Sequence, residues 1–224
     1  MRMQIDFGEF LCRAHILPSV LGFNEWSKIE VVTSLRDIAE VLDVKAMHAS
    51  YLEGLLRNVG LASDPEQRPY RDATIQHLQI DPRQMLVGQR YAYRSKYSAL
   101  IERFDHFFGS YILPSGFSIL MPQIVIGRVA DGRLVLANYL PPIIESHNGE
   151  FIILDGIHRD LITQRTGATI QAILIKNIGA AFPCAGREWK DIRFADEKPE
   201  KLEDRYFELN PDLFRDLKSL GIDG

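Results

Sequence analysis

The sequence has little cysteine, no long apolar run and no surplus of positive charge. Cys12 and Cys184 are its only two cysteines, and neither sits in a C-x-x-C spacing. A disulfide framework and a four-thiolate zinc site are therefore excluded, and two idle thiols in a reducing compartment are expected. No stretch nears the ~20 apolar residues that span a bilayer. Asp6 and Glu9 precede any apolar run, which does not fit a secretory signal. These absences predict a cytoplasmic protein with no membrane partner. The 26 Lys and Arg against 30 Asp and Glu leave a formal charge of −4. A general nucleic-acid binder needs a basic surplus to neutralise phosphates, so the balance argues against one, though a local basic cleft stays open. What remains is an ordinary globular balance, 46% hydrophobic and 25% charged over 224 residues. That is enough chain for one generous domain or two small ones.

Periodicity divides the chain. Leu35, Ile38, Val41, Leu42, Leu52, Leu55, Leu56 and Val59 recur at three- and four-residue steps, which predicts helix from Ser34 to Val59. The polar, twice proline-interrupted stretch from Ala62 to Pro69 reads as a loop and a boundary. Beyond it, Ile75 to Ile80 reads as a strand ending at Asp81-Pro82, and Tyr97 to Phe108 as a helix. A hairpin is expected around the turn Ala130-Asp131-Gly132, between Ile124–Val129 and Leu134–Leu136. A second is expected around His147-Asn148-Gly149, between Ile143–Glu145 and Phe151–Leu154. A helix from about His158 to Thr166, stopped by Gly167, then leads to a strand from Ile170 to Ile175. The last forty residues read as charged loops and helices anchored by Trp189, Phe194, Tyr206, Phe207 and Phe214, with a final helix over Leu213–Leu220. The expected class is α/β (α+β). Residues 1–70 form an N-terminal helical subdomain, 71–180 the core, and 181–224 an extension packed on that core.

One segment carries chemistry: Phe151-Ile-Ile-Leu-Asp-Gly-Ile-His-Arg-Asp160. A buried strand ends at Asp155, Gly156 turns sharply, and a helix starts with His158 and Arg159 in its first turn. Backbone N–H groups at a helix start make an anion site, and glycine lets an anion come close. Arg159 can grip a phosphate with two hydrogen bonds, and His158 adds a donor. Asp155 repels a phosphate, so beside one its natural task is to hold a divalent cation or accept a hydroxyl proton. Alternatively Asp155 merely caps the helix, and Arg159 pairs with Asp160 or Glu150.

The string Leu-Asp-Gly-Ile-His-Arg159, with Asn148-Gly149-Glu150-Phe151 before it, resembles the ParB/sulfiredoxin-like superfamily. The likeness is to its D-G-x-H-R branch, which includes the free serine kinases. Leu78-Gln-Ile-Asp-Pro-Arg-Gln-Met-Leu-Val87 is similar to that domain's opening strand and Pro-x-x-x-L segment, and Pro141-Pro142-Ile-Ile-Glu145 to its strand before the glycine hairpin. The likeness covers about residues 75–177, with an insertion-like hairpin around 117–139. It implies a mixed sheet with flanking helices that binds a nucleotide (ATP, ADP or CTP) with Mg2+. The nucleotide contacts would fall on Gly156, His158 and Arg159. The activity implied is phosphoryl transfer to a small-molecule hydroxyl, with Asp155, His158 and Glu145 as catalytic candidates and Asp155 as metal ligand. A non-catalytic nucleotide-binding regulatory module is the alternative, with a ParB-like DNA-associated protein behind it.

Departures from the family's patterns narrow this. Sulfiredoxins carry a nucleophilic cysteine just before the His-Arg pair, where this chain has Ile157. ParB proteins carry G-E-R-R there, followed by a helix-turn-helix region, and no recognition helix is legible here. The kinases use a glutamate near the Pro-x-x-x-L segment, where this chain aligns Gln84, which cannot accept a proton. The expected partners are thus a nucleotide and a small-molecule substrate, not nucleic acid, with a homodimer left open.

Gly88-Gln-Arg-Tyr-Ala-Tyr-Arg-Ser-Lys96 packs Arg90, Arg94 and Lys96 beside Tyr91 and Tyr93. It reads either as a wall of the nucleotide site, with a tyrosine stacked on a base, or as a solvated loop. No two of the six histidines have the i, i+4 spacing of a metalloprotease helix, and no G-x-S-x-G elbow occurs.

Overall fold

The computed structural model describes residues 5–6, 29–32, 35–98 and 120–217. In chain order the strands begin with β1 (Ile5–Asp6), β2 (Glu30–Val31), β3 (Glu40–Ala46), β4 (Thr74–Ile80), β5 (Leu86–Val87) and β6 (Tyr91–Tyr93). They continue with β7 (Gln123–Arg128), β8 (Leu134–Tyr139), β9 (Ile143–His147), β10 (Glu150–Asp155), β11 (Ile170–Lys176) and β12 (Arg193–Ala195). Helix α1 is Ala49–Arg57 and helix α2 is Ile157–Thr166. The protein is mixed α/β with mixed sheets.

The chain divides into two compact units. The first joins Met1–Arg71, Met121–Leu140 and Arg215–Gly224; the second joins Asp72–Leu120 and Pro141–Phe214. The hairpin of β7 and β8, expected as an insertion in the core, thus belongs with the N-terminal segment. In the first unit a sheet runs β1-β2-β8-β7-β3, with β2–β8 parallel and the other pairs antiparallel.

The continuous helix expected over Ser34–Val59 is corrected. A short 3-10 turn, Leu35–Asp37, is followed by β3, which pairs antiparallel with β7, and only then by α1. The apolar steps of that stretch were misleading, for Leu42 is exposed and Val41 and Val44 are half-buried. β-branched Val41 and Val44 suit a strand, and a partner strand distant in sequence supplies the hydrogen bonds. α1 starts where the His48 side chain accepts from the Ser50 N–H, and it buries Tyr51, Leu52, Leu55 and Leu56.

In the second unit the main sheet runs β4-β11-β9-β10-β5, mixed again, with β11–β9 and β10–β5 parallel. The β9–β10 hairpin closes through Asn148 and Gly149, both at positive φ (54° and 86°), the geometry a two-residue turn needs. A small parallel pair, β6–β12, ties the C-terminal segment to the chain after β5. Trp189 Nε1 donates to the Pro82 carbonyl at 2.8 Å, and the Arg165 guanidinium lies 4.8 Å from the Phe194 ring centroid. Tyr206 and Phe214 meet edge to face.

Residues 94–98 are helical, and the rest of the helix expected over Tyr97–Phe108 lies outside the described residues. The helix expected over Leu213–Leu220 is corrected to a 3-10 turn at Pro211–Leu213. Phe214 is extended, and Arg215 forms an antiparallel bridge with Leu61. Residues 218–224 lie outside the described part. No helix among the described residues is long and apolar enough to cross a membrane.

Tyr51 is fully buried, and its hydroxyl donates to Asn138 Oδ1 at 3.1 Å, while Asn138 Nδ2 has no partner among the described residues. Burial pushes the phenol far above its ordinary value, so it stays a donor. Tyr51→Phe should cost about 1–2 kcal/mol in urea denaturation by stranding the Asn138 oxygen. The double variant Tyr51→Phe/Asn138→Leu should recover part of that loss.

Candidate functional site

β10 ends with a register shift between Ile153 and Asp155, after which Asp155 stands opposite Ile143 on β9. Gly156 then turns the chain at φ 101° and starts α2 without any side-chain cap. A Cβ at Gly156 would lie 2.7 Å from the Pro142 side chain, so both φ and space demand glycine here. The residue's bareness therefore serves packing on Pro142 as well as the turn.

The first turn of α2 is buried whole. Ile157, His158, Arg159, Asp160 and Leu161 are each less than a tenth exposed. Arg159 Nη2 donates to Asp155 Oδ2 at 2.9 Å, spanning the glycine from strand end to helix. Neither pairing considered from the sequence, with Asp160 or with Glu150, is the one made. His158 Nε2 accepts from the Tyr93 N–H at 2.9 Å. That nitrogen therefore carries no proton and cannot donate to a phosphate. The Tyr93 ring packs on the imidazole with centroids 5.9 Å apart, so it stacks within the protein.

Asp160 is completely buried, and neither carboxyl oxygen has a hydrogen-bond partner among the described residues. Burial raises its pKa well above the carboxylate range. Arg159 opposes that shift and Asp155 adds to it. Tyr206 comes within electrostatic reach of Asp155, Cys184 and Tyr93, and its phenol is likewise pushed up, chiefly by burial. No spacing or motif in the sequence marks Tyr206 as a neighbour of the turn.

The other candidate residues scatter. Glu145 is fully buried and hydrogen-bonded to His147 Nε2 at 2.6 Å. His147 is half-buried and meets the Phe182 ring edge-on. Glu145 lies two residues from the partner of Asp155 along β9, and His147 four, or roughly 7 and 13 Å at ~3.3 Å per residue. Gln84 is exposed on a 3-10 turn, Pro82–Gln84, capped by Asp81. Arg94 is exposed and paired with Asp196 at 2.9 Å; Lys96 is half-buried. Arg90 instead lines a cavity of about 400 Å3. Among the described residues no three His, Cys, Asp or Glu side chains group to hold a metal ion. Asp155, the expected metal ligand, has its Oδ2 engaged by the Arg159 guanidinium. No family model, curated protein or solved structure matches the chain.

Removing one partner of the buried pair should be costly. Arg159→Ala should lose about 3–5 kcal/mol in chemical denaturation, because Asp155 would remain charged and buried. Asp155→Asn/Arg159→Gln should lose clearly less. Asp160 gives a pH signature. The unfolded chain releases this proton near 3.8, whereas the folded chain holds it to higher pH. Its contribution therefore falls as pH rises above that value. Asp160→Asn should abolish this slope, so the variant's urea midpoint should gain on wild type between pH 4 and pH 7.

Proposed function

We propose that the second unit binds a nucleotide through its phosphates at the turn from Asp155 to Arg159, in the manner the ParB/sulfiredoxin-like resemblance implies. The observation that carries this reading is the uncapped helix start behind a left-handed glycine. There the dipole of α2 and the Arg159 charge act in the same direction on an anion. The buried Asp155 carboxylate fixes the guanidinium in place, which spares the site the entropy of ordering it on binding. A divalent cation, where needed, is carried by the phosphates and water. On this reading the protein is a nucleotide-binding regulatory module of the reducing cytoplasm.

Phosphoryl transfer to a small hydroxyl compound is the second reading, favoured by the D-G-x-H-R string itself. It needs a base near the turn. Asp155 is engaged by its bond to Arg159, and Glu145 by His147. These pairings support binding over transfer.

Thermal shift and calorimetry with ATP, ADP and CTP, with and without Mg2+, test both readings. At least one nucleotide should raise the melting temperature of the wild type. Asp155→Asn/Arg159→Gln, shown to be folded by circular dichroism, should weaken it at least tenfold. No shift by any nucleotide, or undiminished affinity in the double variant, would overturn the binding reading. Transfer of radiolabelled γ-phosphate to a metabolite panel would promote the second reading over the first.

A further inference from the structure

Arg90, Tyr91, Arg187, Asp191, Arg193 and Phe207 line the cavity of about 400 Å3 in the second unit. That volume is ample for a small ligand. The backbone fixes its walls firmly. Arg193 stands opposite Tyr91 in the β6–β12 register, and its N–H donates to the Arg90 carbonyl at 2.9 Å. Arg90 donates its own N–H to the Arg205 carbonyl at 2.9 Å, and Arg187 exchanges two backbone hydrogen bonds with Val87. Phe207 is held by its N–H on the Gly88 carbonyl at 2.9 Å.

The charges within these walls are only partly met. The Arg187 guanidinium pairs with Glu208, a non-glycine residue held at φ 50°. Arg90 lies 5.6 Å from the centroid of Phe207, and its Nε is buried with no hydrogen-bond partner among the described residues. A buried N–H without an acceptor is costly, and the protein's own side chains supply none here. The Arg193 side chain is exposed and makes no hydrogen bond or ion pair among the described residues. Against these three cations the lining offers one carboxylate, Asp191.

We propose that this cavity binds a small phosphomonoester carrying a free hydroxyl. Arg90 and Arg193 take the phosphate dianion with their forked N–H groups, and Arg187 adds its charge from the wall. Asp191 accepts from the ligand's hydroxyl, while Tyr91 and Phe207 bound the carbon skeleton. A dicarboxylate would meet the arginines but leave Asp191 facing like charge. The proposal uses neither Asp155 nor Arg159, and so stands apart from the nucleotide reading.

Calorimetry on the full chain with glycerol 3-phosphate, inorganic phosphate, succinate and ATP tests it. Glycerol 3-phosphate should bind more tightly than phosphate and succinate, with an affinity that falls as salt rises. Arg193→Ala should weaken it at least tenfold and Arg193→Glu abolish it, each with a wild-type melting temperature. Arg90→Gln should act in the same direction, and Asp155→Asn/Arg159→Gln should leave it unchanged. Failure of glycerol 3-phosphate to bind, equal or tighter binding of succinate, or indifference to both Arg193 variants would overturn the proposal. So would loss of ATP binding in Arg193→Glu without any phosphomonoester binding, because the cavity would then belong to the nucleotide.

Discussion

The ion pair between Asp155 and Arg159 is the constraint around which the second unit is arranged. Each partner is less than a tenth exposed, so neither charge is tolerable without the other. Their four-residue separation is met only if β10 ends at Asp155 and α2 begins immediately after one glycine. That glycine must adopt a positive φ and must lack a side chain because Pro142 fills the space. The same pair sets the field felt by Asp160. The guanidinium favours ionisation of Asp160 and the carboxylate disfavours it, but burial dominates both. A single electrostatic contact therefore couples strand end, turn geometry, helix start and the protonation of a core carboxyl.

The C-terminal segment is as much part of this unit as the sheet. It bridges Val87 through Arg187 and Gln89 through Tyr206, and runs beside β6 as β12. β6 in turn places the Tyr93 N–H on His158, so the helix start is braced by a second contact besides its ion pair. Tyr206 comes near Asp155 by this route, although fifty residues of chain separate them.

Local signals were legible wherever turn chemistry and periodicity agreed. Asn148-Gly149 fixed the β9–β10 hairpin, Gly167 closed α2, and the strand over 75–80 was readable from its alternation. Legibility failed where a distant partner decided the outcome. β3 is a strand because β7 pairs with it, and the stretch after Pro211 is not a helix because Arg215 is bridged to Leu61. At the site, the string from Asp155 to Arg159 was visible, but its internal pairing was not. A sequence names Arg159 as a cation and cannot say that its nearest acceptor is the aspartate four residues earlier. The string offers Asp160 only as a partner for Arg159, and its complete burial in the first turn of α2 was not legible there.

The distribution of unmet charge now separates two kinds of arginine in an acidic chain. Arg159, Arg187 and Arg94 each face a carboxylate of the protein. Their positive fields are partly neutralised, and an anion arriving at α2 must be held largely by backbone N–H groups and the helix dipole. Arg90 and Arg193 are in the opposite state, with a buried donor in one and no side-chain partner among the described residues in the other. Bringing an anion to them breaks no existing ion pair. Bringing one to Arg159 must compete with Asp155. The net charge of −4 averages over this difference. Among the described residues, an external dianion is therefore met at least electrostatic cost by Arg90 and Arg193, which the fold has left without a carboxylate.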